Sequence, residues 1–117
     1  MYFDKSSEFK KEFKKLKKKY KSLDKDLENL ESIIMAFPRG NGSRHWQILH
    51  KVDEVVVCKV GMQCLYLKKK SFRVIYMYSH KTEEIEFIEF IEIFFKGNKE
   101  SENKQRIKEY LKKLEER

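Results

Sequence analysis

The spacing of hydrophobic residues changes twice along this chain, and this change limits the possible folds more than any other feature. Between residues 5 and 37 hydrophobic side chains recur every three or four positions, the period of an amphipathic helix. From Val55 to Phe95 β-branched and aromatic residues are dense, which favours strands. Residues 100–116 return to the helical period. Helices, then strands, then a helix are typical of the α+β class.

The N-terminal segment predicts two helices joined by a short break at residues 20–22. Ser6 or Ser7 is a suitable N-cap for the first helix, and Ser22 for the second. The sequence Pro-Arg-Gly-Asn-Gly-Ser at 38–43 ends the second helix. We therefore expect an antiparallel helical hairpin. Its hydrophobic stripes are Phe9, Phe13, Leu16 and Tyr20, then Leu23, Leu27, Leu30, Ile34 and Phe37.

The middle of the chain predicts three sequential strands at 55–60, 72–78 and 85–95, and residues 1–3 are a candidate for a short first strand. Glutamates recur every three residues in the third segment, which a helix would also accept. Its β-propensity and the preceding turn at 79–82 favour a strand. Sequential strands of this kind pair antiparallel, and helices on one side would complete a two-layer domain.

Length and charge limit the class of protein. The 117 residues have room for one domain, 1–117, and the net charge of +8 attracts anionic partners. Nucleic acid is the first candidate and an acidic protein the second, while a purely solubilising role for Lys and Glu is the alternative. Two cysteines outside any CxxC pair and no hydrophobic leader predict a soluble, cytoplasmic protein. The longest hydrophobic run is too short and too acidic for a membrane span.

Lys59 and Arg73 are the first candidates for chemistry. If their strands pair through a loop centred near Tyr66, the two cations lie opposite each other, which is unfavourable unless an anion lies between them. Arginine offers phosphate oxygens a planar fork, and lysine a mobile point charge. A different register, or neutralisation of one cation by Glu86 or Glu89, is the competing interpretation.

Two further groups of lysines are candidates for anion binding. The run at 68–70, flanked by Tyr66 and Phe72, could follow an RNA backbone while a base stacks, although a solvated hairpin loop is the more common explanation. Lys96 and Lys99 surround the turn that is expected to open the last helix, where backbone N–H groups bind anions easily, although a glycine such as Gly97 more often serves only the turn.

The three histidines lack the spacing of metal ligands, so the sequence predicts no metal site and no cofactor. Any of His45, His50 and His80 could act as a general base, but a plain surface position is the favoured interpretation for each. The chain has no P-loop, nucleophile elbow or dinucleotide-binding fingerprint.

Several short strings, in order along nearly the whole chain, resemble the RelE/ParE toxin superfamily. The most specific is an arginine followed by Val-Ile-Tyr on a central strand, downstream of a strand that bears a lysine. With the second helix, the matching strings are Phe9-Lys-Lys-Glu-Phe-Lys-Lys-Leu16, Cys58-Lys59-Val60, Phe72-Arg73-Val74-Ile75-Tyr76 and Ile91-Glu-Ile-Phe-Phe-Lys-Gly-Asn-Lys99.

The resemblance implies the toxin of a type II toxin–antitoxin pair, with helices on a small antiparallel sheet. Many members cut mRNA in the ribosomal A site without a metal, because the ribose 2′-hydroxyl attacks the adjacent phosphate while basic residues stabilise the charge. Matched by position, Arg73 would hold the scissile phosphate beside Lys59, and Lys96 or Lys99 would replace an absent tyrosine or histidine in proton transfer. The implied partners are a cognate antitoxin and the ribosome with its mRNA. The predicted RNA-binding residues are Lys68, Lys69, Lys70, Lys99, Lys14 and Lys18.

Two alternatives remain open. One branch of the superfamily inhibits DNA gyrase without catalysis, and in that case Lys59 and Arg73 would be dispensable. In addition, many relatives carry an arginine two positions after the strand lysine, where this chain has Gly61. This departure supports the second alternative, an inactive RNA- or protein-binding domain of the same fold.

Overall fold

A five-stranded mixed sheet organises the fold in a computed structural model, which describes residues 2–80 and 85–115. The strands are β1 Tyr2–Lys5, β2 Trp46–Val52, β3 Val55–Cys64, β4 Lys69–His80 and β5 Ile85–Phe95. Their order is β1-β5-β4-β3-β2, and β1 runs parallel to β5 while the other neighbours are antiparallel. The described residues also form three helices: α1 Ser7–Lys17, α2 Leu23–Ala36 and α3 Lys104–Glu115. The predicted α+β class is confirmed, but the prediction of a purely antiparallel sheet is wrong at β1.

Local hydrogen bonds explain how the two N-terminal helices begin. The Ser6 hydroxyl accepts a hydrogen bond from the backbone N–H of Phe9 at 3.2 Å, as predicted for an N-cap. Ser22 precedes α2, but its side chain does not cap the helix. Its hydroxyl donates to the Asp26 carboxylate at 2.8 Å and accepts from the backbone N–H of Tyr66 at 3.0 Å. Ser22 therefore ties α2 to the β3–β4 turn.

The end of α2 lies one residue before the predicted stripe ends. Phe37 has left the helix, with φ of −138°, and Pro38 follows it. A residue before proline is pushed out of the helical region by the proline ring. Phe37 is 50 % exposed, so the prediction that it belongs to the hydrophobic stripe of this helix is wrong.

Helices cover both faces of the sheet, so the predicted two-layer arrangement is wrong. Neighbouring residues of a strand point to opposite faces, and each face here has its own core cluster. Helices α1 and α2 pack on the first face, where the stripe residues Phe9, Leu27 and Ile34 are buried. Helix α3 packs on the second face. The buried residues of that second cluster are Val57, Ile75, Met77, Ile91 and Ile107.

The register of β3 and β4 differs from the predicted one by two residues. Lys59 pairs with Ile75, and Gly61 pairs with Arg73, so the predicted direct pairing of Lys59 with Arg73 is wrong. The turn between the strands spans 65–68, and a register shift near its start adds an extra residue to β4. A shift of two residues preserves the side of the sheet, so both cations still lie on the second face.

A β-bulge in β5 explains the glutamates that recur every three residues. Ile75 pairs with Glu92 and Tyr76 pairs with Phe90, which leaves Ile91 as the extra residue. This insertion puts Glu89 and Glu92 on the same face although three positions separate them. The pattern therefore belongs to a bulged strand, and the predicted strand at 85–95 is confirmed.

Other boundaries differ from the predicted ones at the ends of elements. Strand β2 lies in a segment for which the sequence predicted neither helix nor strand, and its own bulge between Ile48 and His50 interrupts the alternation. Ser79 and His80 continue β4 instead of forming a turn, and residues 81–84 lie outside the described residues. The last helix begins at Lys104 rather than near residue 100.

Candidate nucleic-acid cleft

The three residues predicted to be catalytic, Lys59, Arg73 and Lys96, line a single open cleft of about 480 Å³. We call it the basic cleft. It lies on the second face of the sheet, beside the part that α3 covers, because Lys59 and Arg73 share that face with the second core cluster. The other residues that line it are Arg44, His45, Gln47 and Glu100. Four of the seven lining side chains are therefore lysines or arginines, and one is an acid.

Gly61 lies next to two residues of the basic cleft, His45 and Arg73. A Cβ atom at this position would lie 3.3 Å from the Cβ of His45, 3.4 Å from Nη1 of Arg73 and 3.7 Å from Cδ of Lys70. The missing side chain is thus the space into which a histidine and two cations converge. In the resemblance Gly61 marked the loss of a cation, but here it allows other cations to approach one another.

Arg73 is oriented by the backbone. Its Nη1 donates to the carbonyl oxygens of Lys70 and Phe72, each at 3.0 Å. Among the described residues no acid forms an ion pair with it. Because a guanidinium carries five N–H donors, donors remain for an anion in the cleft.

Lys59, in contrast, already has an acidic partner. Its Nζ lies 3.0 Å from Oε1 of Glu102, and the two side chains are only 17 % and 11 % exposed. Burial alone would raise the pKa of Glu102, but hydrogen bonds from its own backbone N–H and from Lys59 outweigh burial and lower it. One cation is therefore neutralised, as the competing interpretation of the sequence held, but by Glu102 rather than by Glu89, while the Glu86 side chain lies outside the described ones.

Lys96 and Lys99 occupy the loop at 96–103, between β5 and α3. This loop separates them from α3, so the prediction that they open the last helix is wrong. Lys96 is exposed and reaches the basic cleft. Lys99 is held elsewhere: its Nζ pairs with the buried carboxylate of Glu92 and lies 4.9 Å from the ring centroid of Phe94.

His45, which the sequence named as a possible general base while favouring a plain surface position, lines the cleft. Its carbonyl oxygen accepts a hydrogen bond from the Gly61 N–H at 2.8 Å, which fixes it beside β3. Partial burial, followed by the positive charges of Lys70, Arg44, Arg73 and Lys96, lowers the pKa of His45 below its usual 6.5. The imidazole is therefore neutral at pH 7, and a neutral imidazole can accept a proton. Arg44 was missed, because β2 was not recognised.

A buried hydrogen-bond chain holds the segment that carries Arg44 and His45. The Trp46 indole N–H donates to the Tyr76 hydroxyl at 2.9 Å, and that hydroxyl donates to the Pro38 carbonyl at 2.8 Å. Burial strongly raises the pKa of Tyr76, so the phenol keeps the proton that it donates. The cleft residues before β2 are thus anchored to the centre of the sheet.

Two lysines of the run at 68–70, Lys69 and Lys70, line a second cleft of about 450 Å³, which we call the side cleft. Lys96 lines both clefts. Lys69 and Lys70 already belong to β4, while Lys68 ends the turn with φ of +59°. The side cleft is lined by Lys69, Lys70, Ser71, Phe95, Lys96 and Gly97.

The remaining candidates lie away from the basic cleft. Lys14 and Lys18 are exposed on and just after α1, which packs on the opposite face of the sheet. His50 is exposed on β2, and His80 ends β4 with its ring 5.9 Å from the ring of Tyr78. The structure does not bring these residues together with Arg73.

No family model, curated protein or solved structure matches the chain. Within residues 2–80 and 85–115 no helix is long and apolar enough to cross a membrane. The same residues contain no group of three or more His, Cys, Asp or Glu side chains arranged to hold a metal ion.

Proposed function

We propose that this chain is a RelE-like toxin of a type II toxin–antitoxin system that acts in the cytoplasm as a ribosome-dependent mRNA endonuclease without a metal. The observation that carries the proposal is the basic cleft, where Arg73, Lys59 and Lys96 meet a histidine of lowered pKa. Cations directed at one point stabilise the charge that develops on a phosphate in the transition state. A neutral histidine supplies the base that such a reaction needs.

In the proposed reaction the 2′-hydroxyl of one nucleotide attacks the phosphorus atom on its own 3′ side. His45 accepts the proton of that hydroxyl, and the new O–P bond closes a 2′,3′-cyclic phosphate. The bond from phosphorus to the 5′-oxygen of the next nucleotide breaks, and the ammonium of Lys96 protonates the departing oxygen. Arg73 binds the non-bridging oxygens with the N–H groups that its backbone contacts leave available. Lys96 takes the role of proton donor, because Lys99 is paired with Glu92.

Lys59 acts in this scheme as a positioning residue. Its ion pair with Glu102 joins β3 to the loop at 96–103, which carries Lys96. The mostly buried position of both side chains keeps that link out of solvent, where ion pairs are weak. The loop therefore presents Lys96 to the cleft from a fixed anchor.

The proposal includes the finer arrangement of the superfamily. In this arrangement α1 and α2 form the antiparallel helical hairpin, and a cognate antitoxin covers the basic cleft with an acidic segment. The position of the two helices on the face opposite the cleft supports this arrangement, since it leaves the cationic face accessible.

Induced expression in a bacterial host tests the proposal, with growth recorded and mRNA 5′ ends mapped for wild type, Arg73→Ala and Lys112→Ala. Lys112 is an exposed cation of α3 and controls for loss of charge. We expect growth arrest with codon-phased cuts for wild type and Lys112→Ala, and neither for Arg73→Ala. Arrest without cuts, unchanged in Arg73→Ala, would replace the nuclease with a gyrase inhibitor. No arrest in any strain would indicate an inactive binding domain.

A further inference from the structure

We propose that the side cleft is a binding subsite for the nucleotide that adjoins the scissile one in single-stranded RNA. The inference rests on the proposed function, because it gives the cleaved RNA a path out of the basic cleft. It assigns a position on the substrate to Lys69, Lys70 and Phe95, which the cleavage reaction itself does not use.

The first support is continuity between the two clefts. Lys96 lines both of them, and Lys70 lines the side cleft while its Cδ lies near Gly61, which adjoins His45 and Arg73 of the basic cleft. The backbone carries the same connection, since the Lys96 N–H donates to the Ser71 carbonyl at 2.8 Å. A chain of phosphates that leaves Arg73 therefore meets these two lysines next.

The second support is the charge of the side cleft. Its lining includes Lys69, Lys70 and Lys96, and no acid is among the described residues that line it. Nor do these three lysines form an ion pair with any acid in the described part of the chain. Uncompensated cations on this scale favour a ligand with negative charge, and each RNA nucleotide brings one phosphate.

The third support is an aromatic wall, which selects a nucleotide over a bare anion. The Phe95 ring lies so close to Gly97 that a Cβ there would be 2.5 Å from its Cε1. Contacts with Tyr20 and Phe72, at centroid distances of 5.3 and 5.5 Å, hold the ring in place. Proteins that bind single strands combine cations for the backbone with aromatic rings for the bases. An acidic peptide would use the lysines but has no need of the ring.

The test is fluorescence anisotropy of the full chain with a labelled 2′-O-methyl tetranucleotide, which cannot be cleaved. The variant Lys69→Ala/Lys70→Ala is compared with Lys112→Ala/Lys113→Ala, which removes two exposed charges from α3. We expect at least a tenfold loss of affinity in the first variant and less than threefold in the second. The slope of log affinity against log salt should fall by about 0.7 in the first variant only, since the subsite binds one phosphate and each phosphate contact on a single strand contributes roughly 0.7.

A third variant, Gly97→Ala, keeps every charge and displaces the Phe95 ring. We expect it to lower tetranucleotide affinity severalfold with an unchanged salt slope, while thermal melting confirms that it folds. Equal losses of tetranucleotide affinity in both lysine variants would overturn the subsite. It would also be overturned if a tetraglutamate peptide displaced the labelled RNA at the same concentration as unlabelled RNA does.

Failure of the subsite differs from failure of the nuclease. If mRNA is cut in cells and Lys69→Ala/Lys70→Ala binds the tetranucleotide as wild type does, the subsite is wrong and the nuclease stands. If no mRNA is cut but the variant loses tetranucleotide affinity selectively, the subsite stands as an RNA-binding site and the nuclease is wrong.

Discussion

At the scale of single residues, the geometry of the basic cleft depends on the absence of a side chain at Gly61. His45, Arg73 and Lys70 approach the place that a side chain would fill. The glycine lies in the middle of β3, where its flexibility is unfavourable to stability, so its benefit lies in the approach of its neighbours.

Gly61→Ala should therefore separate activity from stability. The new methyl group would lie 3.3 Å from the Cβ of His45, closer than ordinary contact, and would push the imidazole and guanidinium apart. We expect mRNA cleavage to fall at least tenfold, while the free energy of unfolding changes by less than about 1 kcal/mol, because alanine is the less flexible residue in a strand. Cleavage rate and chemical denaturation measure the two effects. A variant with full activity would show that the close approach has no role in the reaction.

The second prediction at this scale concerns the pH dependence of His45. A base acts in its deprotonated form, so cleavage should decline only as the pH falls below the lowered pKa. Lys70→Ala removes the strongest of the nearby charges and should raise the pKa of His45, which moves the acidic limb of the rate profile to higher pH. NMR titration of the imidazole and the pH–rate profile should shift together, with Lys112→Ala as control. A limb that does not move, despite a moved imidazole, would exclude His45 as the base.

At the scale of elements, the loop at 96–103 is fastened to the sheet by acids. The fully buried Glu92 accepts a hydrogen bond from the backbone N–H of Asn103 at 2.8 Å and pairs with Lys99, while Glu102 pairs with Lys59. The bulge at Ile91 places Glu92 on the face where this loop passes. A feature of β5 thus determines where Lys96 is presented.

Glu92→Ala should consequently destabilise the fold and weaken the cleft together. The substitution leaves the Asn103 N–H without its acceptor, whereas the Lys99 side chain is 41 % exposed and stays solvated, so we expect a loss of about 1–3 kcal/mol in the free energy of unfolding. Glu28→Ala, which disrupts an exposed pair with Lys25, should cost less than about 1 kcal/mol. Denaturation with urea compares the two. Equal and small losses would mean that Glu92 does not fasten the loop.

The elements were predictable to the extent that their signals are local. The hydrophobic stripes of α1 and α2 and the β-branched residues of β3 can be recognised within short stretches of sequence. Strand β2 was not, because the extra residue Leu49 interrupts its alternation. The register of β3 and β4 was wrong by two residues because a bulge cannot be located from composition, yet the shared face of Lys59 and Arg73 was correct.

At the scale of the whole molecule, the two faces of the sheet have different roles. The larger core lies under α1 and α2, and the other face is shared by α3 and the basic cleft. This sharing brings Arg44 and His45 from before β2 to Arg73 of β4. No sequence pattern predicted that these residues lie close together, because their proximity depends on the order of strands in the sheet rather than on spacing along the chain.

The three-layer arrangement makes Ile107 a core residue. It is 1 % exposed and contacts the second cluster, so Ile107→Ala should lower the free energy of unfolding by about 2–4 kcal/mol. The neighbouring exposed substitution Lys108→Ala should change it by less than about 0.5 kcal/mol. If thermal or urea unfolding shows the same stability for both variants, α3 does not pack on the sheet.

The central claim is that Arg73 and its neighbours cut RNA by attack of a 2′-hydroxyl. The most direct measurement uses purified ribosomes programmed with an mRNA that carries a single 2′-deoxynucleotide at the mapped cut site, followed by primer extension. We predict that the wild type cuts the all-ribose mRNA to a 2′,3′-cyclic phosphate and a 5′-hydroxyl and does not cut at the deoxynucleotide. We predict that Arg73→Ala cuts the all-ribose mRNA at least 100-fold more slowly than the wild type. Cleavage at an unchanged rate at the deoxynucleotide, or by Arg73→Ala, would contradict the account.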